Sequence, residues 1–311
     1  MGTPAFAVPT LEALLEAGVE VAGVVTQPDR PAGRGQQPVA SPVKRLAVER
    51  GLAVFQPLKI KDPEAVEYVR RLGPDVIVVV GYGQIIPRAV FDSPPLGTIN
   101  VHASLLPKYR GAAPIQWAIA NGETVTGITT MRIEAGLDTG DILLQRECPI
   151  GPEETAPELS ARLAKEGAAL LIETLRCLER GAITPRKQDP TQASHAPLIK
   201  KEDGRADWAM GARQIANRVR AFDPWPGVYT TFRGHLLHLR KVRVVEGSGT
   251  SSRAVRPGAL DVDRHSLRVA CGEGWLELVE LQPEGKKRLT AQEFINGHRP
   301  TSKDVLGGEN R

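Results

Sequence analysis

The run Asp75-Val-Ile-Val-Val-Val80 constrains the fold of this chain more than any other stretch. Five consecutive β-branched residues predict a strand buried on both faces, and such strands belong inside parallel sheets with helices packed above and below. The flanking sequence supplies the alternation that such a sheet requires. Further strands are predicted at 19–26, 54–55, 98–102, 127–133 and 142–150. Helices are predicted at 42–50, opened by Ser41-Pro42, at 63–72, capped by Asp62 ahead of Pro63, at 114–121, and at 158–180, closed by Gly181. Strands alternating with helices predict an α/β architecture, a doubly wound and mostly parallel sheet.

At 311 residues and 41% apolar content, the chain is long enough for two cores. Between 184 and 203 the composition turns to Pro, Gln, Ser, Lys and Asp without a period, which predicts a linker between a first domain at 1–183 and a second at 204–311. In the second domain a helix at 211–221 precedes short alternating runs at 228–232, 236–245, 259–262, 267–270 and 276–281, a pattern expected of a small β-barrel. The Gly/Ser stretch 247–252 reads as a hairpin loop.

The longest strongly apolar run, 76–80, is far short of the ~20 residues that cross a bilayer, and no basic-then-apolar signal opens the chain. A soluble, cytoplasmic protein without a membrane partner is expected. Cys148, Cys177 and Cys271 are widely spaced and lie in no Cys-x-x-Cys or metal-ligand pattern, so reduced thiols and no metal site are expected. The net charge of +4 is uneven: 21 Lys and Arg face 22 Asp and Glu through residue 200, and 19 face 14 beyond it. A basic second domain suits a polyanion, nucleic acid before membrane, although a solvated surface face would carry the same charges.

Asn100 and His102 fall at the carboxyl end of the predicted strand 98–102, where open α/β sheets collect ligands, and alternation puts both on one side. An amide donor beside an imidazole suits a carbonyl gaining negative charge. An isolated His in an apolar strand is, however, more often a satisfied structural residue. The Gly-rich loop 134–143 adds Asp138 and Asp141, which either shape an Asx-turn or supply a carboxylate that orients His102.

Asn100-Val-His102, Ser104-Leu-Leu-Pro107, Arg110-Gly-Ala-Ala-Pro114 and Gly136-Leu-Asp138-Thr-Gly140, taken in order, resemble the 10-formyltetrahydrofolate-dependent formyltransferases. The likeness extends through TQPDRPAGRGQQPVASPVK (26–44), VVVGYGQIIP (78–87), RAFDPWPG (220–227) and LQPEGKKRLTAQEF (281–294), covering nearly the whole chain. It is closest to the branch whose acceptor is methionyl-initiator tRNA. The resemblance implies a Rossmann-like catalytic domain followed by an OB-like barrel that contacts tRNA, in an enzyme expected to act as a monomer. It implies that Asn100 and His102 hold the formyl oxygen and that Asp138 supports His102 and assists proton transfer. Ser104, Leu105, Leu106 and Pro107 match the folate signature, and the backbone of Gln84, Ile85 and Ile86 would read the pterin edge. The donor would be 10-formyltetrahydrofolate, with no metal.

Residues 26–44 form a long connection where ~2–6 residues are usual, and they carry Arg30, Arg34 and Lys44. The resemblance makes this a loop that enters the acceptor end of the tRNA, with Arg34 at its Gly33-Arg34-Gly35 tip. In the second domain Arg240 and Lys241 are the expected phosphate contacts, and Trp225, between two prolines, is expected to wedge between helix and barrel rather than to stack on a base. No Gly-x-Gly-x-x-Gly follows a strand, which argues against a nicotinamide-dependent dehydrogenase. Two further alternatives are a formyltransferase for small amines, which would have no use for the basic barrel, and a non-catalytic RNA-binding module, which would leave Asn100, His102 and Asp138 unexplained. The family also carries an apolar strand ahead of Gly-Thr-Pro, whereas this sequence opens Met1-Gly2-Thr3-Pro4. That first strand is absent from the chain, and a natural start further upstream is the expectation.

Overall fold

The computed structural model describes residues 1–32, 37–245 and 255–308. The chain divides into two units, one built from Met1–Pro114, Val125–Pro149 and Leu159–Pro197, the other from Ile115–Thr124, Ile150–Glu158 and Leu198–Arg311. The elements up to residue 197 are, in order, α1 (Val8–Glu16), β1 (Val24–Val25), β2 (Arg30–Ala32), β3 (Gln37–Val39), α2 (Pro42–Glu49), β4 (Val54–Phe55), α3 (Pro63–Arg71), β5 (Ile77–Val79), α4 (Arg88–Phe91), β6 (Thr98–His102), β7 (Arg110–Gly111), α5 (Pro114–Ala120), β8 (Val125–Arg132), β9 (Ile142–Pro149), α6 (Ala156–Glu179) and β10 (His195–Ala196).

Two ladders make up the main sheet of the first unit. β1 pairs with β4 in parallel, and β5-β6-β8-β9 form a four-stranded piece in which β5 and β6 are parallel while β8 and β9 add antiparallel pairs. The β-branched run becomes β5, with one face buried as expected and the other only partly: Ile77 and Val79 are buried beside Val25, Ile60, Val69 and Phe91, whereas Val78 is half-buried. Ser41 caps α2 by accepting from the Lys44 N–H at 3.1 Å. Asp62 holds the corresponding position before α3 but makes no side-chain capping bond there, so Pro63 alone marks that start.

Between the two ladders lie Met1 and Gly2. The Met1 ammonium donates to Val78 O at 2.6 Å, the Gly2 N–H donates to Val25 O at 3.0 Å, and Gly2 bridges Val80 in parallel. Alongside them a cavity of about 390 Å³ runs between Val19–Val25 and Leu72–Val80. The two ladders are therefore joined through Met1 and Gly2.

The second unit contains α7 (Ala212–Ala221), β11 (Val228–Phe232), β12 (His235–Val245), β13 (Leu260–Val262), β14 (Leu267–Ala270), β15 (Trp275–Pro283), β16 (Leu289–Thr290) and α8 (Ala291–His298). Its sheet runs β11-β12-β15-β14-β13, antiparallel throughout, with β16 added on β15. The chain end joins the two edges: Leu260 N donates to Asp304 O, Leu306 N to Gly258 O and Gly307 N to Thr231 O, at 2.8 to 3.2 Å. Residues of the Gly/Ser stretch 247–252 lie outside the described residues. Among the described residues, no helix is long and apolar enough to cross a membrane.

Candidate active site

β5 and β6 run in parallel with Val79 opposite Asn100, so the segment that follows β5 and the carboxyl end of β6 emerge at the same edge of the sheet. At that edge Asn100 is half-buried and His102 is 6% exposed. Asp138 comes to both from the loop between β8 and β9. Its Oδ1 lies 3.5 Å from Asn100 Nδ2, and its Oδ2 lies 3.7 Å from His102 Nδ1 while accepting the Gly111 N–H at 2.8 Å. The Gly-rich loop carries both Asp138 and Asp141, of which the resemblance singles out Asp138. The loop separates them: Asp141 O pairs with the Arg132 N–H inside the β8–β9 turn, and Asp138 turns its carboxylate to β6.

Backbone geometry makes that turn possible. Asp138 sits at φ 51°, in the left-handed region that Asp tolerates better than most side chains, and Gly111 at φ 121° presents its N–H where a Cβ would meet Ala196 O at 2.6 Å. His102 Nε2 is 2.9 Å from Tyr109 O. A carbonyl oxygen has no proton to give, so Nε2–H is the donor and the neutral ring carries its lone pair on Nδ1, towards Asp138.

Residues 103–110 fold tightly against β8. Ser104 is fully buried and spends its hydroxyl on Lys108 O at 2.6 Å, while Leu106 packs with Met131 and Ile142. Thr129 ties this segment down: its Oγ1 donates to Ser104 O at 2.6 Å and accepts from Leu106 N at 3.1 Å and from Gln145 Nε2 at 2.9 Å. Leu105 and Pro107 remain partly exposed. After β5, Gln84 uses its amide internally, accepting from Ile60 N at 2.7 Å and donating to Leu58 O at 3.2 Å. Ile86 joins the core, whereas Ile85 is 93% exposed, an apolar side chain presented to solvent at the site's edge.

Of the basic residues singled out for tRNA, Arg30 lies on β2, exposed, with Nη2 3.4 Å from Gln27 Oε1. Lys44 is paired with Asp29 at 2.6 Å, and that carboxyl, which also accepts from Gln56, is held below its ordinary range chiefly by the Lys44 hydrogen bond. Arg34 lies outside the described residues. In the second unit Arg240 is the extra residue of a bulge between β12 and β15, donating to Gln282 Oε1 at 2.9 Å, and Lys241 beside it is exposed. Burial, and then the nearby Arg288, lower the Arg240 pKa. Other cations of that region serve the fold: Arg220 donates to Gly151 O and Glu154 O, and Arg233 pairs with Asp304. Trp225 does not wedge into the core as expected; it is 57% exposed. Phe222 takes the inner place, fully buried edge-on to Trp117, because Gly227 N closes the turn onto Phe222 O and leaves Trp225 at its apex.

Sequence reasoning missed Arg110 and Gln188 as site residues. Arg110 is 8% exposed, and its Nε and Nη2 both donate to Gln188 Oε1, at 3.1 and 2.7 Å. The stretch that composition marks as a linker thus returns to the site, where β10 pairs with β7 and Ser194 bonds the Tyr109 and Arg110 N–H groups. Nothing local in the sequence signals these long-range pairs.

Residues 1–175 match the Formyl transferase family, and residues 198–299 match the family of the formyl transferase C-terminal domain. The methionyl-tRNA formyltransferase of Solibacter usitatus is 61% identical over 307 residues, spanning 99% of this chain and 97% of the relative. That of Koribacter versatilis is 54% identical over 308 residues, 98% of this chain and 97% of its own. Among solved structures, WlaRD, a sugar 3N-formyl transferase determined in the presence of dTDP and 5-N-formyl-THF, shares the fold with a TM-score of 0.66 at 18% identity, over 92% of this chain and 97% of its own. Identity at this level, sustained through both domains and nearly end to end, puts the chain in the formyl transferase family, among the methionyl-tRNA formyltransferases.

Proposed function

We infer that this chain transfers the formyl group of 10-formyltetrahydrofolate to the α-amino group of methionyl-initiator tRNA. The observation that carries the reading is the convergence of Asn100, His102 and Asp138 within 3.5 to 3.7 Å at the carboxyl end of β6, in a chain 61% identical to a methionyl-tRNA formyltransferase. Exposed Ile85 and the partly exposed Leu105 and Pro107 fit a flat heteroaromatic ring that needs an apolar edge. When bound, the folate supplies an activated formyl group and a nitrogen leaving group.

The protein's part is to place donors and to move one proton. Asn100 Nδ2 carries two N–H groups; one points towards Asp138 Oδ1, and the other is available to the formyl oxygen as negative charge builds on it. His102, with Nε2–H spent on Tyr109 O, has no N–H left for the formyl oxygen that the resemblance assigns to it, and offers Nδ1 instead as the acceptor of the proton leaving the attacking amine. Asp138 Oδ2, 3.7 Å from Nδ1, faces the proton that Nδ1 receives, while the bond to Tyr109 O keeps the ring aligned. From Nδ1 the same proton can pass to the leaving nitrogen. Such a reaction requires no covalent bond to the enzyme, and the cytoplasm is the compartment that goes with this reading.

The division into a catalytic domain at 1–183, a linker at 184–203 whose first part lies along the site through Gln188 and Ser194, and a tRNA-binding domain at 204–311 goes with this reading, as do Arg30, Arg34, Lys44, Arg240 and Lys241 as tRNA contacts. The test is formyl transfer from 10-formyltetrahydrofolate to methionyl-initiator tRNA, compared with small amines and with water. Asn100→Ala should lower kcat by ~10²–10³ with unfolding unchanged, the usual loss when one oxyanion donor is removed. His102→Ala should fold and be nearly inactive. Wild-type kcat in both variants, or preference for a small amine over the charged tRNA, overturns the reading.

A further inference from the structure

Gln188 joins three parts of the site through a single side chain. Its Oε1 receives both Arg110 donors, at 3.1 and 2.7 Å, and its Nε2 donates to the carbonyl oxygens of Asp138 and Gly140 at 2.8 and 2.7 Å. Oxygen and both amide protons are therefore all engaged. Only an uncharged amide of this length meets donors on one side and acceptors on the other.

The two ends are held differently. On one side Arg110 is buried in β7, which pairs with β10 through Arg110 and His195. On the other side Asp138 occupies the left-handed region at φ 51°, a conformation that persists only where the surroundings hold it. Gln188 binds that backbone from behind while the Asp138 carboxylate reaches forward to the Gly111 N–H at 2.8 Å. Because Gly111 follows Arg110 in the chain, a closed ring results: Asp138 backbone, Gln188, Arg110, Gly111 and the Asp138 carboxylate.

We propose that Gln188 is a positioning residue of this enzyme, which acts through Asp138 by fixing its carboxylate against His102 and Asn100. This rests on the role given to Asp138 above. A carboxylate already at 3.5 and 3.7 Å from its two neighbours has little slack, and a displacement of about 1 Å can cost on the order of 10²-fold in rate.

Gln188→Ala, Gln188→Glu and Asp138→Asn are compared in the full chain, with 10-formyltetrahydrofolate and methionyl-initiator tRNA as substrates. Gln188→Glu keeps the oxygen that Arg110 grips, so it retains that anchor, but it sets a carboxylate against two carbonyl oxygens and releases the loop. Both Gln188 variants should lose about 10- to 100-fold in kcat, with KM for the folate within about 2-fold, thermal unfolding close to wild type, and a displaced kcat–pH profile. Two results overturn the proposal: wild-type kcat and pH profile in Gln188→Ala while Asp138→Asn is inactive, or a fall in kcat matched by an equal loss of folded protein and regained in Gln188→Glu. Wild-type kcat in Asp138→Asn instead overturns the reading of the site itself.

Discussion

Thr129 shows how one residue can support a site without entering it. It stands opposite His102 in the β6–β8 register and is fully buried, and its hydroxyl serves Ser104 O, Leu106 N and Gln145 Nε2 together. Replacing it by Val preserves shape and removes every one of those bonds, leaving the buried Leu106 N–H and Ser104 C=O without their partner. A buried polar group stripped of its partner costs ~1–3 kcal/mol, so Thr129→Val should destabilise the protein by about 2 kcal/mol, measured by urea unfolding followed by fluorescence. The turn 103–110 should also loosen, which KM for the folate would report as an increase. Unchanged stability would mean that water takes over the hydroxyl's bonds. Nothing in the sequence marks Thr129, since Thr is an ordinary strand residue and its role comes from strand register. Asn100 and His102 stand out as two polar residues that interrupt an apolar strand at its carboxyl end, a pattern that structural residues share, and only the resemblance singles them out.

Elements were legible where their signals are local. Ser41-Pro42 opened α2, and the β-branched run became β5 with Ile77 and Val79 buried and Val78 half-buried towards the cavity, because capping and side-chain branching act within a few residues. Helix α1 is not among the predicted helices, because Ala7 at its N-cap makes no side-chain bond and no capping residue marks its start. The ladder β7–β10 and the closure of the second unit by its chain end join residues far apart in sequence, which periodicity does not encode. That closure yields a prediction. Asp304, which supplies the carbonyl for Leu260 N, also pairs with Arg233 and accepts from Thr301 N, and its carboxyl is lowered to about 2, first by the Arg233 hydrogen bond. A carboxyl whose folded pKa lies below its unfolded value near 3.8 contributes stability above that value and loses it as pH falls towards 2. Asp304→Asn should therefore cost about 1 kcal/mol at pH 7, less than the whole shift implies because half of Arg233 stays in water. Unfolding curves of the two proteins should converge as pH drops from 4 to 2; a gap that persists at pH 2 would assign the loss to packing instead.

At the scale of the whole molecule, the site proposed on β6 has to be served by residues that hold a charged tRNA. Net charge alone would have every Arg and Lys of the second unit contribute, yet Arg220 and Arg233 are committed to carbonyls and to Asp304. Lys44 in the first unit is likewise paired with Asp29. Lys241 differs: it is exposed and follows the bulged Arg240 on β12, where the strand breaks its alternation. A bulge re-aims the side chains around it, so the two cations need not point to opposite faces as strict alternation would require. If Lys241 meets a phosphate, Lys241→Gln should raise KM for methionyl-initiator tRNA while leaving kcat and KM for the folate unchanged. It should also lower the slope of log KM against log salt by ~0.7–0.9, the share of one phosphate contact, whereas a Lys that merely sits in solvent would leave the slope intact. Arg240→Gln tests the same surface with a complication, because Arg240 also bonds Gln282 and its loss frees that amide. Measuring both variants between 50 and 200 mM salt, a range over which several phosphate contacts change affinity by orders of magnitude, separates the two contributions. Equal slopes in wild type and both variants would remove this strand from the tRNA-binding surface and leave the contact to the long connection between β1 and α2.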